Sequence, residues 1–206
     1  MRLTKFGHSC VRFDTDGGAI VIDPGVFSDP AALDGADAVF ITHQHADHCN
    51  DPELRRLLED QPETVFYGPE SLADVLGGLP FTVVSAGDAI PVAGTEVKVV
   101  GRHHAVIHPD IPVVPNVGYL VDGVFHPGDA LTVPDLPVRV LLAPVAAPWM
   151  KLSECVDFIR AVDAPVVHPI HDAILSEDGI AIVDRNLMHL IGDPYQRIAD
   201  GTPVDV

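Results

Sequence analysis

The segment Thr42-His43-Gln44-His45-Ala46-Asp47-His48 places four side chains able to ligate a metal, His43, His45, Asp47 and His48, within six residues. They follow directly on the apolar run Ala38-Val39-Phe40-Ile41, which reads as a buried strand. Strand spacing would turn His43 and His45 to one side, and a following turn would fold Asp47 and His48 back beside them. Imidazole and carboxylate together suit zinc and other borderline divalent cations. A His-rich surface loop accounts poorly for so dense a set behind an apolar strand, so the segment is read as a metal site.

The elements that must hold this motif are legible on both sides of it. Before it, Leu3–Phe6 and Cys10–Phe13 alternate as short strands, and Asp16-Gly17-Gly18 turns the chain into the strand Ala19–Ile22. Pro24-Gly25 breaks that strand just after Asp23. After the motif a helix is expected, capped by Asp51, with Pro52 at its first position and Leu54, Leu57 and Leu58 on one face. A strand over Thr64–Tyr67 leads to a second helix, opened by a Ser71–Asp74 capping box and ended by Gly77-Gly78. Strands return at Thr82–Val84, Glu96–Val100, Tyr119–Val121 and Val138–Leu141. A helix from about Ser153 to Val162, the strand Pro165–Val167 and a helix from Gly179 to about Ile191 complete the chain. Strands followed by helices in each half point to two packed sheets with helices outside. No linker or low-complexity tract divides residues 1–206, which are expected to form one domain.

Composition narrows the partners. A net charge of -18, from 12 Lys+Arg against 30 Asp+Glu, leaves no basic patch of the kind polyanion binding needs, so no nucleic acid is expected. No apolar run reaches the roughly 18 residues of a membrane span, and no secretion signal is expected from Met1-Arg2-Leu3-Thr4-Lys5-Phe6. Cys10, Cys49 and Cys155 are an odd set of thiols, and a reducing, cytoplasmic location is expected.

His43-x-His45-x-Asp47-His48 resembles the signature of the metallo-β-lactamase superfamily, and the other landmarks of that family follow in order. Asp23 in Ile22-Asp23-Pro24-Gly25 matches the aspartate after an early strand. The lone later histidine falls in Arg102-His103-His104-Ala105, where the His-Ala context favours His104 over His103. Asp129 ends His126-Pro127-Gly128-Asp129, and Pro169-Ile170-His171 matches the last histidine, ahead of His168. The short early strands, Gly7-His8-Ser9 and the compact length are most similar to the ascorbate-6-phosphate lactonase-like branch. Nothing after His171 is similar to the extra segments of the RNA-cutting and lipid-cutting branches. Position 45 is His, where the di-iron oxygen-reducing branch has Glu.

The resemblance implies a four-layer αβ/βα sandwich. It implies that His43, His45 and His104 hold one metal, that Asp47, His48 and His171 hold a second, and that Asp129 bridges both. Asp23 would orient a ligand histidine through its ring N–H. The two ions would be zinc first, with manganese or iron(II) as alternatives. Two dications, two carboxylates and a bridging hydroxide leave a net positive centre, suited to an oxyanion, and metal-bound water is acidified toward ~7. The implied activity is binuclear hydrolysis of a small-molecule ester, lactone or phosphoester, with Asp47 relaying a proton. His8 and His126 are expected to face the cleft from outside the ligand set, and Trp149 to anchor its Pro-rich loop. Two rivals stand beside this reading. One is a metal-dependent phosphodiesterase or nuclease; the other is a non-catalytic metal-binding sensor or scaffold, whose site would lack a cleft. Many compact relatives form multimers, so a homo-oligomer is compatible with the resemblance.

Overall fold

Successive residues of a strand face opposite sides, and here both sides are buried. In the computed structural model, which describes residues 1–206, the N-terminal half supplies β1 (Arg2–Lys5), β2 (Val11–Thr15), β3 (Gly18–Ile22), β4 (Ala38–Phe40), β5 (Val65–Gly68) and β6 (Thr82–Val83). Helix α1 (Asp51–Asp60) follows β4, and α2 (Ala73–Leu76) follows β5. The rest of the chain supplies β7 (Ala89–Val92), β8 (Thr95–Val100), β9 (Gly118–Val121), β10 (Val124–His126), β11 (Val140–Pro144), α3 (Leu152–Val162), β12 (Val166–Ile170), α4 (Glu177–Ile191) and β13 (Pro203–Asp205). One sheet runs β13-β1-β2-β3-β4-β5-β6, and the other β12-β11-β10-β9-β8-β7.

Ile20, Ile22 and Phe40 meet Tyr119, Val121 and Leu142 in the core between the sheets. Val21 and Val39, on the opposite face, pack against Leu54, Leu57 and Leu76 of α1 and α2. Phe125, Leu141 and Val167 meet Cys155, Phe158, Ile159 and Leu187 of α3 and α4. Helix, sheet, sheet, helix: this is the αβ/βα sandwich. Each of the large side chains buried here adds roughly 1.5–3 kcal/mol of apolar transfer free energy.

Strands β3, β4 and β5 are parallel, as are β10, β11 and β12. Parallel neighbours end on the same edge, so the loops that leave them gather there, as ligand loops do in open parallel sheets. Those loops carry Asp23, the His43–His48 motif, Asp129 and His171.

Several local expectations are revised. Strand β4 stops at Phe40, so the motif is a loop rather than a strand end. Asn50, not Asp51, precedes the first helical residue of α1, and Asp51 pairs one turn on with Arg55 at 2.9 Å. No Ser71–Asp74 capping box forms, because Glu70–Leu72 is a 3-10 turn and the buried Ser71 Oγ has no partner; Gly77, left-handed at φ 50°, does end α2. The sequence reading lacked β7, β10 and β13. The first and last are short edge strands that contain a proline, and β10 is only three residues long.

Candidate metal centre

Asp23 organises the motif from beneath. It lies fully buried at a left-handed φ of 54°. Its Oδ1 accepts the Thr42 backbone N–H at 2.7 Å, and its Oδ2 accepts the Thr42 hydroxyl at 2.7 Å and the His48 Nδ1–H at 2.6 Å. The motif then turns tightly, with the His45 carbonyl accepting the N–H groups of His48 and Cys49. This turn, rather than strand alternation, brings His43 Nε2 to 3.1 Å from His45 Nδ1.

Two groups of ligand-type atoms result, His43, His45, His104 and Asp129 in one and His8, Asp47, His48 and His171 in the other, each with its atoms within 4.8 Å of one another. Asp129 lies between them. Its Oδ2 is 3.3 Å from His104 Nε2 and 3.1 Å from His171 Nε2, and its Oδ1 is 3.0 Å from His48 Nε2. His104 therefore joins the cluster, while its neighbour His103 is exposed. His171 joins it as well, whereas His168 gives its Nδ1–H to the Gln196 carbonyl at 2.6 Å.

His45 turns its Nδ1 toward His43 Nε2. The other four candidate-ligand imidazoles share one orientation, each directing Nδ1–H to a protein oxygen: His43 to Thr42 Oγ1 (3.0 Å), His48 to Asp23 (2.6 Å), His104 to the Ala105 carbonyl (2.5 Å) and His171 to the Ala146 carbonyl (2.6 Å). Their Nε2 lone pairs consequently converge. The buried Nε2 atoms of His48, His104 and His171 and Oδ1 of Asp129 have no hydrogen-bond partner. Unpaired buried acceptors cost roughly 1–3 kcal/mol each, and a cation would satisfy all of them together. The donor set fits divalent metal.

The electrostatics run the same way. Burial disfavours the ionised Asp129 carboxylate, yet the facing His48, His104 and His171 hold its pKa well below the usual range. Burial likewise opposes charge on His171, but Asp129 and Asp47 outweigh it and raise this histidine to about 9. For Asp47, the facing His171, with Nε2 3.6 Å from Oδ2, and the hydrogen bond from His8 outweigh burial and lower the pKa. His43 goes the other way, well below its normal value, because burial and His48 both disfavour its charge. Protons and a cation compete for the same lone pairs.

His8 sits in the second group, buried and left-handed at φ 49°. Its Nδ1 accepts the Ala173 N–H at 3.2 Å, which leaves the ring proton on Nε2, 3.3 Å from Asp47 Oδ2. It faces Asp47 as a donor. His126 corrects the expectation of a cleft-facing residue. It is completely buried, its Nδ1 accepts the Gly128 N–H at 3.1 Å, and its Nε2–H donates to the Ser9 carbonyl at 2.8 Å. Neither nitrogen is free for a substrate, so His126 braces the backbone. Cys49 is a buried thiol pushed up to about 12 by burial, which suits an inert role. Thr42 and Asn116, which fixes the Asp129 N–H at 3.0 Å, escaped the sequence reading. Thr42 stands inside the motif and was open to notice, whereas Asn116 carries no local signal. Asp23, His8 and His171 all hold positive φ without being glycine, and such clustered strain is typical of functional sites. His45 is half-buried and the Asp47 side chain is 26% exposed, so the cluster opens to solvent on that flank.

Comparison with known proteins agrees with this geometry. A family described as a beta-lactamase superfamily domain matches residues 2–171. A Mycobacterium tuberculosis protein, Rv0786c, is 42% identical over 211 residues, covering 99% of both chains. A UPF0173 metal-dependent hydrolase of Methanopyrus kandleri is 27% identical over 192 residues, 83% of this chain and 84% of its own. Among solved structures, the metallo-beta-lactamase fold protein YhfI of Bacillus subtilis superposes with a TM-score of 0.75 at 14% identity, over 98% of each chain. Igni18, a metallo hydrolase of Ignicoccus hospitalis, gives 0.74 at 21% identity, over 98% of this chain and 97% of its own. The two-sheet sandwich, the motif on its strand edge and the matched family lead to one assignment: this chain belongs to the metallo-β-lactamase superfamily.

Proposed function

We propose that this chain is a binuclear metal-dependent hydrolase of a small-molecule ester, lactone or phosphoester. Hydrolase activity that depends on metal is the coarse part of the reading, and relatives carrying that name support it. The binuclear part is carried by one observation: convergent Nε2 lone pairs, each with its Nδ1–H tied outward, around an Asp129 shared by two groups. His43, His45 and His104 would hold one ion, Asp47, His48 and His171 the other, and Asp129 both. Such ions, zinc ahead of manganese or iron(II), would supply a water acidified toward ~7 and a positive charge to polarise the electrophile.

The side chains do the rest. Asp47, half-buried on the open flank, takes the proton released as the nucleophile attacks. His8 holds Asp47 in place through Nε2–H. Asp23 and Thr42 keep His48 and His43 in the tautomer that faces the centre. The open flank at His45 and Asp47 supports an enzyme over a sealed sensor site. A charge of -18 supports a small-molecule substrate over a nucleic acid. Three buried free thiols support a reducing, cytoplasmic setting. Gly7-His8-Ser9 and the compact length support the ascorbate-6-phosphate lactonase-like branch.

The deciding test is metal content by mass spectrometry on protein purified without chelator, with His45→Ala and Asp129→Ala beside the wild type. About two ions per chain, reduced in both variants, is expected, followed by hydrolysis in a screen of lactones and phosphoesters. A single ion would remove the binuclear part. No ion after reconstitution would overturn the whole reading.

A further inference from the structure

Trp149 is the only tryptophan in the chain, and it lies twenty residues beyond Asp129 on the loop between β11 and α3. Its half-buried indole donates Nε1–H to Asp129 Oδ2 at 3.0 Å. The ring stands edge-on over His104 and His171, with centroids 5.9 and 6.3 Å away. Ala146, on the same loop, receives the Nδ1–H of His171. One loop thus holds two of the candidate ligands from the same side.

We propose that Trp149 is a positioning residue of the metal centre, fixing the Asp129 carboxylate so that Oδ2 lies between the two groups and Oδ1 faces His48. This rests on the binuclear reading above. The main chain of Asp129 is pinned independently, its N–H by Asn116 at 3.0 Å and its carbonyl by the Ala105 N–H at 2.8 Å. Those bonds leave rotation of the carboxylate about its last side-chain bond undetermined. His104 and His171 cannot set it once a cation takes their Nε2 lone pairs, because their only N–H then points outward. The indole has an N–H and no lone pair. It can therefore only donate to Oδ2 and offers the cation no ligand atom of its own. Partners of this kind are typically worth 10–100-fold in metal affinity.

Trp149→Phe separates the donor from the packing, since the ring stays and the N–H goes. Zinc affinity is measured by chelator competition on the metal-free wild type, Trp149→Phe and Trp149→Ala, together with their melting in the metal-free state. The expected result is about tenfold or greater weakening in Trp149→Phe, with its metal-free melting unchanged and Trp149→Ala at least as weak. Equal affinity of Trp149→Phe and wild type overturns the proposal and leaves the metal centre standing. Wild type that takes up no zinc overturns both. A second readout needs no variant. The single tryptophan should change its emission in step with zinc loading, and emission indifferent to zinc overturns the proposal even if Trp149→Phe does not fold.

Discussion

His8 and Asp47 form the pair on which the proposed proton transfer depends, and the tautomer of His8 is set by Ala173 rather than by a metal. Replacing His8 by Asn should therefore leave metal content near wild type while lowering kcat by roughly 10²-fold or more. Mass spectrometry and turnover on one preparation check this, and metal lost together with activity would make His8 a ligand instead. The three thiols give a second expectation. Cys10, Cys49 and Cys155 are each raised to about 12, by burial above all. A thiol reagent at pH 8 should label none of them in the folded chain and all three after denaturation. At this scale the sequence spoke clearly wherever neighbours in the chain are neighbours in space. His43, His45, Asp47 and His48 announce themselves. His126 misled, because its type says nothing of the Ser9 carbonyl and Gly128 N–H that occupy it.

At the scale of elements, the turn after β3 is packed directly beneath the motif. A Cβ on Gly25 would stand 1.8 Å from the Asp47 carbonyl oxygen and 2.5 Å from the His48 nitrogen, so the ligand turn must move to admit it. Gly25→Ala should cost about 1–3 kcal/mol and reduce metal content, seen as a lower Tm and fewer ions per chain. A variant with both unchanged would show that the turn and the motif move independently. The helices were legible from their apolar period, as with Leu54 and Leu57 on α1. Edge strands were not. In β7 and β13 every residue is exposed or half-buried and each strand contains a proline, so the strand signal is weak, although β7 pairs with β8 across a tight turn while β13 pairs with β1 from the other end of the chain.

Across the whole molecule, the two halves meet at the centre: His43 to His48 come from the first sheet, and Asp129 and His171 from the second. Metal bound there ties the sheets together and should stabilise the fold. Free zinc at about 100 times its Kd is worth about 2.7 kcal/mol, read as a rise in Tm that a chelator reverses. The protons carry a matching sign. His171 is raised to about 9 from its usual 6.5, so its protonation favours the metal-free fold below 6.5 and that contribution is lost as pH climbs through about 9. At pH 7 zinc must displace that proton, and calorimetry in buffers of different ionisation enthalpy should record proton release, falling off above pH 9. No release at pH 7 would place His171 outside the metal's ligands.

The sequence alone determined the ligand types, the dense motif and the strand-then-helix halves, because each is written in residues close along the chain and in periodicities that local geometry imposes. The tertiary structure decided which of His103 and His104, and of His168 and His171, reach the centre. It also decided that His126 is spent on backbone and that Trp149 meets Asp129. These outcomes depend on which strand edges come together and how each loop leaves them, and such long-range contacts leave no spacing to be read.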